Sequence, residues 1–163
     1  MAIVSTDIQY RLSGGASNSD PAASLGGVKS STAASNYFDD VSSAEASAGD
    51  TEYRCVYVHN AHATLTLIGA KVFIQTNTPS SDTDVAIGLG SSAINGTEQT
   101  VADESTAPTG VSFSAPTTYA GGLSIGDLAA GAHKAVWVRR TVNAGAAAYA
   151  DSFTLRVQGD TNP

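Results

Sequence analysis

The stretch that decides the fold is residues 51–59, TEYRCVYVH. Aromatic and β-branched residues dominate it, and such residues favour an extended, pleated chain. Tyr53, Cys55 and Tyr57 lie on one side of that chain, and Val56 and Val58 lie on the other. Because both sides are apolar, the pattern predicts a central strand that is buried on both faces.

Period-two patterns recur on either side of this stretch. They predict further strands at residues 4–12, 64–76, 84–89, 111–114, 132–142 and 152–158. Gly69 interrupts the strand at 64–76, which indicates a bulge or a hairpin corner. Short strands separated by Gly, Ser, Asp and Pro predict an all-β protein, an antiparallel β-sandwich that is Ig-like or jelly-roll-like.

The N-terminal part of the chain has a different composition. Residues 13–50 are rich in Gly, Ser, Ala and Asp, and this stretch is longer than an ordinary connection inside a compact domain. It predicts either an extended arm that lies on a partner or a floppy loop. We therefore divide the chain into an N-terminal strand and extended arm, residues 1–43, and a β-sandwich domain, residues 44–163.

The composition excludes some classes of function. Eight Lys and Arg stand against fifteen Asp and Glu, a formal charge of -7, so we expect no nucleic-acid partner. Charged residues make up 14% of the chain against a usual figure of about 25%, and such a neutral surface suits a protein that works inside an assembly. No apolar run approaches the ~20 residues that span a bilayer, so we expect no membrane partner and synthesis in a cytosol.

The cysteine, histidines and arginines of the sequence do not match the spacing of a known catalytic or metal-binding motif. Cys55 is the only cysteine and is expected to be a buried small hydrophobe. His59 and His62 flank a predicted turn, so hydrogen-bonded turn residues are favoured over a metal site. We expect no catalytic centre, no metal and no cofactor. Arg139 and Arg140 point to opposite faces of their strand, and each is open to an internal ion pair or a partner contact.

Four segments resemble a group of small virion proteins of tailed bacteriophages. The resemblance is one of overall pattern, with no catalytic signature, and it implies a structural component of the virion. The segments are 4–13 (VSTDIQYRLS), 52–60 (EYRCVYVHN), 107–113 (APTGVSF) and 135–141 (AVWVRRT).

Within a virion, an acidic sandwich with an N-terminal arm suits a capsid decoration or cement protein that clamps subunit seams. The expected partners are the major capsid protein and copies of the chain itself, and the expected location is the virion, after synthesis in the cytoplasm of the bacterial host. The predicted partner-contact residues are Ile3, Val4, Ile8, Tyr10, Arg11, Tyr37, Phe38, Arg139 and Arg140.

The alternative is a tail, tail-tip or fibre adaptor, or a carbohydrate-binding module, with tail proteins or surface glycans as partners. In the carbohydrate-binding case Tyr119, Tyr149 and Trp137 would stack on sugar rings. Core packing is the favoured interpretation of Trp137, because it lies in an apolar strand.

Overall fold

The computed structural model describes residues 2–147 and 151–161, and within them the fold is nearly all β. The predicted all-β sandwich is therefore confirmed. The described residues contain one α-helix, α1, at Ser43–Ala48, and 3-10 turns at Ser5–Asp7 and Pro21–Ala23. The strands are β1 (Ile8–Leu12), β2 (Gly26–Gly27), β3 (Asp50–Asn60), β4 (Leu67–Thr76), β5 (Thr83–Leu89), β6 (Glu98–Thr100), β7 (Leu123–Leu128), β8 (His133–Val142) and β9 (Thr154–Thr161).

Two antiparallel sheets pack face to face. The first has the strand order β1-β3-β8-β5, and the second has the order β7-β4-β9. β2 and β6 form a separate two-stranded ribbon. β3 lies inside the first sheet, between β1 and β8, as its two apolar faces predict.

The main core lies between the two sheets. Each strand sends every second side chain inward, so the apolar positions of both sheets meet there. Burying one such aliphatic side chain is worth roughly 1.5–3 kcal/mol, which makes this layer the principal source of stability. Its buried members include Val56, Val58, Val72, Ile74, Val136, Val138 and Leu155.

A second apolar cluster covers the outer face of the first sheet. Cys55, Tyr57 and Trp137 are fully buried there, under Val101 and the partly buried Leu25. The expected burial of Cys55 and the expected core packing of Trp137 are both confirmed. Burial also raises the pKa of the Cys55 thiol, which keeps it protonated.

The ribbon of β2 and β6 is anchored by a buried acid. Glu98 is 3% exposed, and its carboxylate accepts hydrogen bonds from the backbone N–H and the hydroxyl of both Ser91 and Ser92. Burial opposes the charge, but these donors outweigh it and lower the pKa of Glu98 to about 2. The Tyr57 hydroxyl accepts from the Glu98 backbone N–H at 3.0 Å, which ties the ribbon to the sheet.

Several predicted element boundaries differ from the structure. The bulge is present in β4, where Gly69 has φ +60° and the register shifts. Residues 111–114 form no strand, and Ser114 makes only an isolated bridge with Ile87. β7 was not predicted, because Gly126 and Asp127 interrupt its apolar positions. α1 was not predicted either, although Ser42 and Glu45 form a capping box at its start.

Residues 13–42 do not extend away from the chain. The Ser30 backbone N–H donates to the Leu12 carbonyl at 2.8 Å, and the Ala34 N–H donates to the Tyr10 carbonyl at 2.8 Å. The segment thus covers part of the outer edge of β1, because those backbone groups need partners and their own chain supplies them. β1 and β3, which lie on either side of the predicted division at residue 43, are hydrogen-bonded neighbours.

Candidate functional site

An open groove of about 410 Å³ runs between the N-terminal residues and β9. One wall is formed by four of the nine predicted partner-contact residues, Ile3, Val4, Ile8 and Tyr10. The other wall is β9. The structure therefore brings these four residues together, although only Ile8 and Tyr10 lie on β1, because a 3-10 turn at Ser5–Asp7 replaces the first half of the strand predicted at residues 4–12.

β9 is an open edge of the second sheet. It pairs with β4 on one side, and among the described residues no backbone group outside β4 bonds to the backbone of β9. The Val157 N–H is directed at the Tyr10 phenol oxygen and tends to lower the pKa of that phenol, so Tyr10 covers this one position of the edge. Since backbone direction alternates along a strand, Leu155 and Gly159 present their N–H and C=O groups to the same side. The groove floor thus holds backbone groups that an added strand could pair with.

The groove wall on the N-terminal side is apolar and uncharged. Val4 is 57% exposed, one of the few large apolar side chains of the described residues that face solvent to this degree. Ile3 and Ile8 are partly buried against the main core. Burial raises the pKa of Tyr10, and Tyr37 adds to this effect, so the phenol stays neutral. Such a wall suits a neutral apolar partner.

Tyr37 packs behind this wall. Its ring lies edge-on to Tyr10 at 6.4 Å between centroids and against Phe153 at 5.6 Å. Burial raises its pKa as well. In this structure Tyr37 therefore supports the groove from within its own chain.

Phe38, a predicted partner-contact residue, is instead part of the chain's own core. It is 6% exposed, and its ring centroid lies 5.5 Å from the guanidinium carbon of Arg54 and 4.7 Å from that of Arg140. The physical reason is that a large ring gains more from burial and cation–π contact than from exposure on an arm.

Arg140 forms the internal ion pair that was one of its two predicted roles. Its Nε donates to Glu52 Oε2 at 2.6 Å, from the cross-strand position on β8. Arg54 lies 3.7 Å from the other oxygen of Glu52 and also pairs with Glu104. Burial raises the pKa of Glu52, while the two guanidinium groups oppose that effect. Arg140 is thus committed to its own chain.

Arg139 and Arg11 lie away from the groove. Arg139 points to the opposite face from Arg140, as predicted, and its guanidinium lies 5.4 Å from the Phe113 ring centroid. Arg11 lies on the outer face of the first sheet and donates to the Ser31 carbonyl and to the Gln9 side chain. The structure does not bring these two residues together with the groove.

A group of carboxylates was not predicted. Oxygen atoms of Glu45, Asp50 and Glu52 lie within 4.8 Å of one another. Glu45 caps α1 through the Ser42 N–H, and Glu52 is paired with Arg140. The fold itself therefore accounts for at least two of the three carboxylates.

The remaining candidate residues are explained by local structure. His62 accepts hydrogen bonds from the Thr64 and Leu65 N–H groups at 3.1 and 2.9 Å, which confirms a hydrogen-bonded turn residue. The same prediction was wrong for His59, which lies within β3 and whose Nδ1 has no hydrogen-bond partner. Trp137 is fully buried and offers no face for a sugar ring. The Tyr119 hydroxyl donates to the Gly69 carbonyl, and Lys71 lies over the Tyr119 ring. Tyr149 lies outside the described residues.

Comparison of the chain with protein-family models, with curated proteins and with solved structures finds no match. Among the described residues, no helix has both the length and the apolar character that crossing a membrane requires.

Proposed function

We propose that the chain is a non-enzymatic structural protein of a bacteriophage virion, a capsid decoration protein that stabilises the shell across subunit seams. The observation that carries this proposal is the groove, where an exposed apolar wall and the open edge of β9 lie side by side. Soluble proteins usually protect an open sheet edge with charge, proline or a covering segment. Arg156 is a charged residue of this kind in the groove, but the exposed apolar wall opposite β9 is typical of a binding surface.

The mode of binding that fits this groove is strand addition. An extended segment of a neighbouring subunit pairs with the β9 backbone, and its apolar side chains contact Ile3, Val4 and Ile8. Main-chain hydrogen bonds then supply affinity, and the apolar wall supplies selectivity. Many such contacts on one lattice act together, so each can be modest. The partners under this proposal are the major capsid protein and further copies of the chain.

The low charge content supports the same function. Only 14% of the residues are charged, and a surface with few charges makes close contact with a flat neighbour at low desolvation cost. The resemblance of four segments to virion proteins of tailed bacteriophages adds the viral context.

The test is a binding assay with capsids that lack the chain. Val4→Asp places a charge on the exposed apolar wall and should weaken binding at least about tenfold, the equivalent of 1.4 kcal/mol. Val28→Asp is the matched control, because Val28 is 49% exposed and lies outside the groove. Equal binding by both variants would show that the groove is not part of the interface. Failure of the native chain to bind any capsid would refute the proposed function.

A further inference from the structure

We propose that Arg11, Lys29, His59 and His133 form a binding site for a small oxyanion, a phosphate or a carboxylate, on the outer face of the first sheet. This inference does not rest on the proposed function, and the site lies on the opposite face of β1 from the residues that line the groove.

The register of the first sheet places Arg11 and His133 on either side of His59. His59 on β3 is directly opposite His133 on β8 and Gln9 on β1, and Arg11 is opposite Tyr57. Directly opposite side chains share a face with Cβ atoms ~5 Å apart, and diagonal neighbours are ~7–8 Å apart. The Tyr57 and His133 rings, a diagonal pair, meet at 5.2 Å. Arg11 and His59 form the corresponding diagonal on the β1 side.

The N-terminal segment brings Lys29 to the same place. The Val28 carbonyl accepts from Gly15 at 3.1 Å, and the Ser30 N–H donates to Leu12, the neighbour of Arg11. The Tyr57 hydroxyl holds the Gly27 carbonyl at 2.6 Å. Lys29 is therefore fixed from both sides, next to the strands that carry Arg11 and Tyr57.

These cationic groups have no counter-charge of their own. Among the described residues, every ion pair to a basic side chain involves Arg54 or Arg140, so Arg11, Lys29, His59 and His133 have none. Lys71, Lys134, Arg139 and Arg156 also lack an ion pair among the described residues, so what distinguishes this group is that the sheet register sets Arg11 and His133 beside His59. A bound oxyanion would supply the missing charge.

Two polar atoms in the site also lack hydrogen-bond partners. Nε of Arg11 and Nδ1 of His59 are buried and make no hydrogen bond. Arg11 uses its terminal nitrogens on Ser31 and Gln9, which leaves N–H donors free among the five that a guanidinium carries. A buried donor without an acceptor is costly, and an oxyanion is an acceptor of the kind that Nε of Arg11 needs, and that Nδ1 of His59 needs once its ring is protonated.

The electrostatics of the two histidines agree with this geometry. Burial lowers the pKa of His59, and the charges of Lys29 and Arg11 lower it further. The pKa of His133 is lowered by burial, by Lys29 and by His59. Tyr57 faces them from β3 as a neutral phenol, because burial raises its pKa to about 12. Lys29 and Arg11 repel the protonated imidazoles, whereas a bound anion attracts them. Anion binding should therefore strengthen as the pH falls and the imidazoles gain protons.

The test follows the imidazole signals by NMR while inorganic phosphate is added to the full chain at pH 6, with chloride held at matched ionic strength. The signals of His59 and His133 should move and saturate, and they should move further than those of His62, which lies on the turn after β3 and whose Nδ1 accepts from Thr64 and Leu65. Lys29→Gln should weaken phosphate binding at least about tenfold. Lys71→Gln is the control, because Lys71 lies on β4 in the other sheet and its replacement makes the same change in net charge.

A second arm, with acetate in place of phosphate, distinguishes the sources of the oxyanion. Saturation by acetate as well identifies a carboxylate site that an acidic side chain could fill, and saturation by phosphate alone identifies a phosphate site. The inference is overturned if neither anion moves the two signals beyond the chloride control, or if Lys29→Gln binds as tightly as Lys71→Gln.

Discussion

Replacing Phe38 by Ala should destabilise the isolated protein strongly. Phe38 is 6% exposed and packs with the main core, and deletion of a buried phenylalanine side chain costs about 3–5 kcal/mol. The ring also contacts the guanidinium groups of Arg54 and Arg140, and each such contact is worth about 0.5–2 kcal/mol. A loss near 4 kcal/mol is a large share of the ~5–15 kcal/mol that stabilises a domain.

Urea unfolding measures this loss directly. Trp137 is the only tryptophan and is fully buried, so its fluorescence reports the folded core. Phe38→Leu keeps an apolar side chain without the aromatic face, so its free energy of unfolding should lie between those of the native chain and Phe38→Ala. Val4→Ala, at an exposed site, should change the free energy of unfolding by no more than about 0.5 kcal/mol. A loss below about 1 kcal/mol for Phe38→Ala would mean that residues 13–42 are not part of the folded unit.

Three further substitutions test the fold. Glu52→Gln removes the buried carboxylate that Arg140 and Arg54 share and leaves Arg140 with the exposed Asp39. Because burial offsets part of the benefit of the pair, the substitution should cost about 1–3 kcal/mol in urea unfolding, and no measurable loss would refute a stabilising role of the pair. Glu98 has a pKa of about 2 in the folded chain against an ordinary 4.5, so its charge contributes fully to the free energy of unfolding above pH 4.5. That contribution, on the order of 3 kcal/mol, is lost as the pH falls towards 2. Acid titration of the free energy of unfolding should show this loss in the native chain and not in Glu98→Gln. Gly26→Ala would place a Cβ 1.8 Å from the Gln99 carbonyl oxygen, whereas the Cβ of Gly110→Ala, also at positive φ, would meet nothing within 4 Å. Gly26→Ala should therefore lower the melting temperature more than Gly110→Ala does. Equal melting temperatures for the two variants would contradict the close approach at Gly26.

The sequence predicts the sandwich because its strands are strongly patterned. β3 and β8 carry continuous apolar runs that are buried on both faces, as expected of strands inside a sheet, whereas β9 alternates buried or partly buried residues with exposed ones along most of its length. β7 could not be predicted with the same rule, because a glycine at positive φ interrupts it. α1 has only six residues, too few for a helical stripe, and its capping box was the one local signal.

The candidate site was only partly predictable. Ile8 and Tyr10 follow the alternation predicted for residues 4–12, but a 3-10 turn at Ser5–Asp7 interrupts the pattern before Ile8. β9 forms the other wall from the far end of the chain, and a local pattern carries no information about such a long-range neighbour. Phe38 was misplaced for a related reason. Its surroundings, rich in Ser and Asp, indicate a loop, while its burial depends on two arginines that come from β3 and β8.

Electron microscopy of virus particles that carry this chain tests the central claim most directly. The account predicts that the sandwich binds the outside of the shell in a copy number set by the shell lattice, with the β1–β9 groove facing a neighbouring subunit and an added strand along β9. Density at the tail, or a shell-bound sandwich whose groove faces solvent, would contradict it.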